Sequence, residues 1–279
     1  MYKVIFIDLD GTLLNDYKEI SEENINQLNR AYNEKDVLSI ITTGRQLGFV
    51  KELCDNYNCI FGDIVIASNG AIVKNLRTNQ YINKMFFDMD DIDKFLKIYE
   101  EEKLEYILVY TENDAFIREV DQNIVKKLSF KSMSDLYNNE YQGDANLCVM
   151  GGGISNLNQA IKRIEAYNKL SCSSISKYVQ TLNDGTVLKR DYFDIVLKGC
   201  SKQAAINKVI KEFGFKHDEI MIIGDGGNDI PMFECGGLKV AMANAEDILK
   251  EKADYITDTN NNDGVAKAIK KFIFNEDIW

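Results

Sequence analysis

The stretch Asp8-Leu9-Asp10-Gly11-Thr12 directly follows an apolar, β-branched run from Lys3 to Ile7. That run predicts a short buried strand, which places both carboxylates just beyond the carboxyl end of the strand. In an open parallel sheet, ligands bind in the crevice outside these ends. Gly11 lets the backbone turn, so that Asp8 and Asp10 can face one site instead of opposite sides of a strand. The stretch therefore predicts a functional site at the edge of a parallel sheet.

Strand and helix segments alternate in the first and last thirds of the chain. In the first third we predict strands at 3–7, 37–41 and 63–67 and helices at 22–34 and 46–57. In the last third we predict strands at 219–223, 238–241 and 253–256 and helices at 201–213, 246–250 and 264–274. This alternation indicates an α/β fold, with a Rossmann-like parallel sheet covered by helices on both faces.

The middle of the chain indicates a separate α/β unit inserted into this core. The predicted elements there are helices at 90–102 and 156–167 and strands at 106–110, 115–118, 146–150 and 174–181. We therefore expect a discontinuous core domain made of residues 1–82 and 190–279, interrupted by an α/β cap at residues 83–189.

A second acidic cluster, Asp225-Gly226-Gly227-Asn228-Asp229, also follows an apolar strand segment. Its glycines permit a tight loop and a close approach of the backbone to a ligand. Carboxylates from two strand ends would make a hard oxygen site of the kind that suits Mg²⁺. The ligand spacing of an EF-hand loop is absent, so a calcium loop of that type is excluded.

Two further positions are suited to binding an anion. Thr43-Gly44-Arg45 ends the second predicted strand, where a hydroxyl can donate to a phosphoryl oxygen and a guanidinium can neutralise charge. Lys202 opens a predicted helix, and a cation at a helix start is disfavoured by the macrodipole unless an anion lies nearby. Taken alone, each position also fits a structural role, as a helix cap beside a surface arginine or as a solvated lysine.

Composition excludes several classes of function. The formal net charge is −11, and no strong basic cluster is present, so we expect neither nucleic acid nor a membrane surface as a partner. The apolar runs are shorter than the roughly 18 residues of a membrane helix, and we expect no export signal in the first residues, because Asp8 and Asp10 end the apolar stretch early. The 6 cysteines are scattered, which favours reduced thiols in a cytoplasmic protein. A single histidine, His217, excludes His-rich zinc sites and disfavours a Ser-His-Asp triad.

Along the chain, Asp8-Leu9-Asp10-Gly11-Thr12, Thr43-Gly44-Arg45, Lys202 and Gly224-Asp225-Gly226-Gly227-Asn228-Asp229 resemble, in that order, the four motifs of the haloacid dehalogenase (HAD) superfamily. The similarity is greatest to its Cof-type sugar phosphatase branch. Four further stretches carry that similarity, namely Ser68-Asn69-Gly70-Ala71, Lys198-Gly199-Cys200-Ser201-Lys202, Ala241-Met242-Ala243-Asn244-Ala245 and Asp263-Gly264-Val265-Ala266. The resemblance covers both core segments and is less specific across the insert, whose size and position are similar to those of the branch's α/β cap. Gln203 stands where the family often has glycine.

The resemblance implies a role for each motif residue. Asp8 is implied as the nucleophile that forms an aspartyl phosphate, and Asp10 as the acid that protonates the leaving oxygen and then activates water. The acid role requires Asp10 to hold a proton near neutral pH, which close approach of other carboxylates favours. Mg²⁺ is implied between the Asp8 carboxylate, the Asp10 backbone carbonyl and Asp225, with Asp229 assisting. The implied phosphate-binding residues are Leu9, Gly11, Thr43, Gly44, Arg45, Lys202 and Asn228, of which Thr43 and Lys202 are counted with the catalytic residues.

The function expected from these features is Mg²⁺-dependent hydrolysis of small phosphomonoesters, sugar phosphates or similar metabolites. Two alternatives stay open, a phosphosugar mutase and a non-catalytic phosphate-binding regulatory module. Sugar phosphates, nucleotides, flavin mononucleotide and pyridoxal phosphate are all possible substrates, and a monomer is the default state.

The cap is expected to act as a substrate-specificity lid that closes over a small substrate, with hinges near Asn83 and Lys189. The polar candidates for contacts to the leaving group are Arg118, Asn183, Asp184 and Arg190.

Overall fold

The structure, a computed structural model, describes residues 1–57, 63–119, 130–138, 143–181 and 187–276. The chain divides into two compact units. The first unit is made of Met1–Lys84 together with Ser201–Trp279, and the second is made of Met85–Cys200.

The secondary-structure elements of the described residues are numbered along the chain. The strands are β1 (Val4–Ile7), β2 (Leu38–Thr42), β3 (Ile64–Ala67), β4 (Ile72–Asn75), β5 (Gln80–Lys84), β6 (Tyr106–Tyr110), β7 (Ala115–Glu119), β8 (Lys131–Ser132), β9 (Leu147–Gly151), β10 (Leu170–Cys172), β11 (Ser176–Thr181), β12 (Val187–Leu197), β13 (Ile220–Gly224), β14 (Leu238–Ala241) and β15 (Tyr255–Ile256). The helices are α1 (Glu22–Lys35), α2 (Leu47–Tyr57), α3 (Met89–Glu101), α4 (Met133–Asn138), α5 (Ile154–Glu165), α6 (Lys202–Phe213), α7 (Ile230–Phe233), α8 (Asp247–Lys250) and α9 (Gly264–Ile273).

The first unit is built on a sheet with the strand order β15-β14-β13-β1-β2-β3-β4-β5. The strands from β15 to β3 pair in parallel, whereas β4 and β5 extend the sheet as an antiparallel hairpin. All residues of β1 and β13 are buried, as expected for central strands of a sheet covered on both faces. The predicted α/β fold with a Rossmann-like parallel core is therefore confirmed.

The hairpin of β4 and β5 was not predicted from the sequence. Its strands carry lysines and asparagines, and a register shift lies between Val73 and Lys74. Lys74 is nevertheless buried, with its ammonium 4.4 Å from the centre of the Tyr81 ring. The Lys74–Tyr81 contact joins the two strands of the hairpin and contributes to the stability of β4. Because it is a contact between strands, the residue types within β4 alone do not predict it.

The second unit contains a separate sheet with the order β10-β12-β9-β6-β7-β8, and β11 also pairs with β12. Helices α3 and α5 contribute Phe95 and Leu157 to its apolar core, which also contains Phe193 of β12. The predicted domain boundary at residues 189 and 190 falls inside β12. That strand continues to Leu197, because it pairs with β9 and β10 in the second unit.

Among the helices in the described part of the chain, none is both long enough and apolar enough to cross a membrane.

The parallel strands of the first unit bring four loops to one edge of its sheet. Strands β1, β2, β3 and β13 run in the same direction, so the residues that follow them lie at the same edge. These residues begin with Asp8, Thr43, Ser68 and Asp225 respectively. Helix α6 starts at Lys202 after an N-cap in which the Ser201 hydroxyl accepts from the Ala204 N–H at 3.0 Å.

Candidate active site

Three carboxylates from the two acidic clusters meet at the edge of the parallel sheet. Asp8, Asp225 and Asp229 each offer an oxygen, and these oxygens all lie within 4.8 Å of one another. Asp8 and Asp229 are buried, whereas Asp225 is half-buried. Asp8 follows β1 and Asp225 follows β13, so the parallel pairing of these two strands brings the clusters together.

The ammonium of Lys202 lies between two of these carboxylates. Lys202 Nζ donates to Asp8 Oδ1 at 2.6 Å and to Asp229 Oδ1 at 2.7 Å, and all three side chains are buried. A buried charge is expensive unless it is paired and hydrogen-bonded, and here each charge has an opposite partner. The first turn of α6 is thereby joined to the loops after β1 and β13.

Burial and crowding change the proton affinities of this group. Burial raises the pKa of the Asp8 carboxyl, and the nearby Asp229 raises it further, against the opposing effect of Lys202. Burial disfavours the charged ammonium of Lys202, but Asp229 and Asp8 outweigh this and raise the pKa of Lys202. Burial and the charge of Asp229 together raise the pKa of Asp225 to about 6.

Asp229 uses both of its oxygens. While Oδ1 binds Lys202, Oδ2 accepts from the backbone N–H groups of Asp225 at 3.1 Å and Gly226 at 3.2 Å. Asp229 therefore fixes the conformation of the loop that carries Asp225, in addition to being one of the three clustered carboxylates.

Gly11 lies against the carboxylate of Asp225. Its φ is +78°, and a Cβ at this position would lie 2.2 Å from Asp225 Oδ2. The Gly11 carbonyl accepts from Asn244 Nδ2 at 2.7 Å, and Asp225 Oδ1 accepts from the Thr12 hydroxyl at 3.0 Å. The loop after β1 can approach Asp225 this closely only because residue 11 has no side chain.

Asp10 lies in a different environment from the other carboxylates. Arg45 donates to both of its oxygens at 2.6 Å, and Lys18 Nζ donates to Oδ1 at 2.8 Å. Burial alone would raise the pKa of Asp10, but the hydrogen bonds and charges of Arg45 and Lys18 prevail and lower it to about 2. The expectation that neighbouring carboxylates would raise this pKa is wrong for the geometry observed, because two cations surround the group.

The loop after β2 holds the remaining predicted motif. Thr43 is buried, and its Oγ1 accepts from the backbone N–H of Arg45 at 3.1 Å. A Cβ on Gly44 would lie 2.8 Å from Asn69 Oδ1, so this loop packs against the turn after β3. The backbone N–H groups of Ser68 and Asn69 donate to the carbonyls of Arg45 and Thr43 at 2.8 and 3.1 Å.

Two other predicted phosphate-binding residues contribute differently. Leu9 is fully buried, and its carbonyl accepts from the backbone N–H groups of Thr12 at 3.3 Å and Leu14 at 2.8 Å. Asn228 is exposed in the turn Gly227–Asp229. Leu9 therefore shapes the loop, whereas the Asn228 side chain is open to solvent.

Several residues that shape this site have no role predicted from the sequence. Lys18 pairs with Asp10, Thr12 bonds Asp225 and Asn244 bonds the Gly11 carbonyl. Asn260, which likewise had no predicted role, donates from its backbone N–H to Asn244 Oδ1 at 2.9 Å. Asn244 lies in one of the stretches that resemble the Cof-type branch, and that was the only signal available for it.

The candidates for leaving-group contacts are only partly described. Arg118 pairs with Glu100 at 2.8 Å, and Arg190 pairs with Glu105 at 2.9 Å, all within the second unit. Asn183 and Asp184 lie outside the described residues.

The clustered carboxylates fit a divalent metal ion. Asp8, Asp225 and Asp229 supply the hard oxygen donors that Mg²⁺ prefers. Burial, and after it the charge of Asp229, raises the pKa of Asp225. The three carboxylates lie near the single ammonium of Lys202, so the cluster carries more negative than positive charge. A cation with two positive charges would remove this excess.

Comparison with known proteins shows that the chain is similar to haloacid dehalogenase-like hydrolases. Residues 5–269 match the family model for haloacid dehalogenase-like hydrolases. The chain is 30% identical over 271 residues to the 5-amino-6-(5-phospho-D-ribitylamino)uracil phosphatase YcsE of Bacillus subtilis, covering 97% of this chain and 96% of that protein.

Solved structures agree with this relationship over almost the whole chain. A haloacid dehalogenase-like hydrolase from Bacteroides thetaiotaomicron superposes with a TM-score of 0.79 at 26% identity, covering 97% of this chain and 99% of that chain. The HAD subclass IIB sugar phosphatase BT4131 superposes with a TM-score of 0.73 at 25% identity, covering 97% of this chain and 98% of that chain.

Adding a methyl group at Gly11 should disrupt the contact with Asp225. We expect Gly11→Ala to lower the free energy of unfolding by about 1–2 kcal/mol for the left-handed backbone, and by a further 1–3 kcal/mol, roughly, for the collision. Gly214→Ala is the matched control, because Gly214 also has a positive φ of +69° and its Cβ would meet nothing within 4 Å. Urea unfolding measures both variants, and equal losses for the two would contradict the proposed close approach.

The raised pKa of Asp225 predicts how the stability of the metal-free protein depends on pH. The folded-state pKa of about 6 lies above the ordinary value of 3.8, so the stabilising contribution is present below about pH 4 and is lost as pH rises through 6. In EDTA, Asp225→Asn should therefore stabilise the protein by about 1–2 kcal/mol more at pH 7.5 than at pH 4.5, after a discount for solvent screening. Urea unfolding at both pH values tests this, with the exposed Asp218→Asn as control. A gain that is equal at the two pH values would contradict it.

Proposed function

The chain belongs to the haloacid dehalogenase-like hydrolases, in their Cof-type branch, and is a phosphoric monoester hydrolase; we propose that it is Mg²⁺-dependent and acts through an aspartyl phosphate on Asp8. The observation that carries this proposal is the cluster in which Lys202 joins Asp8 to Asp229 beside Asp225. A site that only bound phosphate would not need a buried carboxylate at its centre, because a carboxylate repels phosphate.

Asp8, Asp225 and Asp229 would hold the metal ion, together with the backbone carbonyl of Asp10. When bound, Mg²⁺ would polarise phosphoryl oxygens and offset the repulsion between carboxylate and phosphate. The half-buried position of Asp225 supports this assignment, because an ion needs access from solvent as well as ligands from the protein.

Asp8 is proposed as the nucleophile. Its Oδ1 is bound by Lys202, which fixes the orientation of the carboxylate and lowers the local negative charge that an approaching phosphate meets. A covalent intermediate divides the hydrolysis into two transfers, each with a lower barrier than direct attack by water. Lys202 is held by Asp229 as well, so its ammonium is already in place before substrate binds.

Asp10 is proposed to protonate the leaving oxygen and then to accept a proton from the attacking water. Arg45 and Lys18 hold it as a carboxylate in the structure described, which is the form that the second step requires. The first step requires the proton on Asp10, so binding of the phosphate must weaken one of these ion pairs. Arg45, which the sequence assigned to phosphate binding, is the group that a phosphate dianion would compete for.

Thr43, Lys202 and Asn228 are proposed to bind phosphoryl oxygens. The Thr43 oxygen already accepts a hydrogen bond from the Arg45 backbone, which leaves its O–H to act as the donor. The exposed Asn228 amide lies in the same loop as Asp225 and Asp229. Together these groups would surround the phosphate with donors that match its charge.

A small phosphorylated metabolite, such as a sugar or polyol phosphate, is the proposed substrate class. YcsE is named for a substrate with a phosphorylated ribityl chain, and BT4131 is named a sugar phosphatase. The lid role of residues 83–189, the cytoplasmic location and the monomeric state stay predictions. Product analysis separates hydrolysis from the mutase alternative, because hydrolysis yields free phosphate and a mutase yields an isomerised sugar phosphate.

Replacement of Asp8 by Asn tests this function. We expect wild-type protein to release phosphate from a panel of phosphorylated metabolites with Mg²⁺ and to lose that activity in EDTA. Asp8→Asn should lower kcat by at least about 10³-fold, because the amide cannot form the acyl phosphate. Its melting temperature should stay at or above that of wild type, since the substitution removes a buried negative charge.

The exposed Asp218→Asn variant serves as the control for loss of a carboxylate. It should retain wild-type kcat. Mg²⁺-dependent phosphate release by folded Asp8→Asn at the wild-type rate would overturn the assignment of the nucleophile. Release that is unaffected by EDTA would overturn the assignment of the metal.

A further inference from the structure

The segment 15–19, directly after the first acidic loop, forms a turn that its own residues fix. The Asn15 backbone N–H donates to the Glu19 carbonyl at 2.9 Å, and the Lys18 N–H donates to the Asn15 carbonyl at 2.9 Å. The Asn15 side-chain oxygen accepts from the N–H groups of Tyr17 at 2.9 Å and Glu19 at 3.0 Å. The turn is therefore well defined, although Tyr17 and Lys18 are exposed.

Lys18 occupies a backbone conformation that lysine seldom adopts. Its φ is 64°, in the left-handed region where glycine, asparagine and aspartate are the favoured residues. One of those residues would adopt this backbone conformation at a lower energetic cost than lysine. The feature that a lysine adds at this position is its ammonium, which donates to Asp10 Oδ1 at 2.8 Å.

The turn is tied to a distant segment of the chain through Asp16. The Asp16 N–H donates to Asn261 Oδ1 at 3.0 Å, and the two Asp16 oxygens accept from Asn260 Nδ2 at 3.1 Å and Asn261 Nδ2 at 2.9 Å. Asn260 Nδ2 also donates to the Leu14 carbonyl at 3.0 Å. These bonds hold the turn, and with it Lys18, at a fixed place beside the first acidic loop.

Asp10 is held from two segments at once. Arg45, whose guanidinium carbon lies 4.1 Å from the centre of the Phe49 ring, binds both carboxylate oxygens from the loop after β2. Lys18 adds a third hydrogen bond, to Oδ1, from the turn after the acidic loop. A side chain held by donors from two separate segments loses more rotational freedom than one held by a single partner.

We propose that Lys18 is a positioning residue, which acts through Asp10 and fixes its carboxylate in the orientation that the proton transfers require. This proposal rests on the proposed function, because the acid–base role of Asp10 is part of it. In this proposal Lys18 acts on the reaction only through its contact with Asp10. The turn at 15–19, with its asparagine ties, is the structure that presents the Lys18 ammonium to Asp10.

The test measures kcat and KM for Lys18→Met, Lys18→Gly and Lys18→Arg with an alkyl phosphomonoester and with p-nitrophenyl phosphate. We expect the first two variants to lose at least about tenfold in kcat for the alkyl ester while KM changes little, because a misplaced catalytic group slows chemistry more than binding. The loss should be smaller for p-nitrophenyl phosphate, whose leaving group departs without a proton. Lys18→Arg should restore most of the activity.

Two comparisons separate positioning from a general structural effect. Lys3→Met is the matched control, because Lys3 is 58% exposed and pairs with Glu219 at 2.7 Å, just as Lys18 is 55% exposed and pairs with Asp10 at 2.8 Å. Lys3 precedes β1 at the opposite end of that strand, so this control should keep wild-type kcat. In an Asp10→Asn background, Lys18→Met should change the rate by less than about twofold, because the two residues act as one unit.

Three of the four results that would overturn the proposal concern Lys18→Met. They are wild-type kcat in Lys18→Met, an equal loss for both substrates, and a full additional loss in the Asp10→Asn background. Wild-type rates in Lys18→Gly with a defect in Lys18→Met would assign the effect to the left-handed backbone and would overturn it as well. Failure of the proposed function is a different outcome, because the wild-type protein would then release no phosphate from either substrate.

Discussion

The ion pairs of Lys202 with Asp8 and Asp229 are the interaction on which the rest of the site depends. In the sequence, Lys202 lies 194 residues from Asp8 and 27 residues from Asp229. The buried carboxylates of Asp8 and Asp229 are stable because the Lys202 ammonium lies between them, since removal of that ammonium would leave uncompensated buried charge. The first and last segments of the core must therefore fold together before the site exists.

The parallel sheet and its loops make this arrangement possible. Pairing of β1 with β13 places Asp8 and Asp225 at one edge, and Gly11 lets the first acidic loop lie against Asp225. Asp229 fixes the second acidic loop through backbone N–H groups, and Asn244 holds the first through the Gly11 carbonyl. Rigid loops at the carboxyl ends of parallel strands are the usual way in which this fold class builds a binding site.

Features set by neighbouring residues in the sequence were predictable, whereas contacts between distant segments were not. Apolar strands ending in acidic clusters predicted that Asp8 and Asp225 lie at the same edge of the sheet, because strand direction determines that edge. Their contact also requires that β1 pairs with β13, which the residue pattern does not specify. The environment of Asp10 was not predictable, since Lys18 reaches it only through a left-handed turn and Arg45 comes from another strand. For the same reason Asn260, whose side chain bonds the Leu14 carbonyl 246 residues away in the sequence, was not predicted to shape the site.

The covalent state of Asp8 during turnover tests the central claim most directly. Wild-type protein should be mixed with Mg²⁺ and a radiolabelled phosphomonoester, quenched in acid within one turnover, and digested for peptide mapping. The account predicts an acid-stable, base-labile label on the peptide that contains Asp8, and loss of that label when unlabelled substrate is added before the quench. Turnover with no protein-bound label, or a label on a different residue, would contradict it.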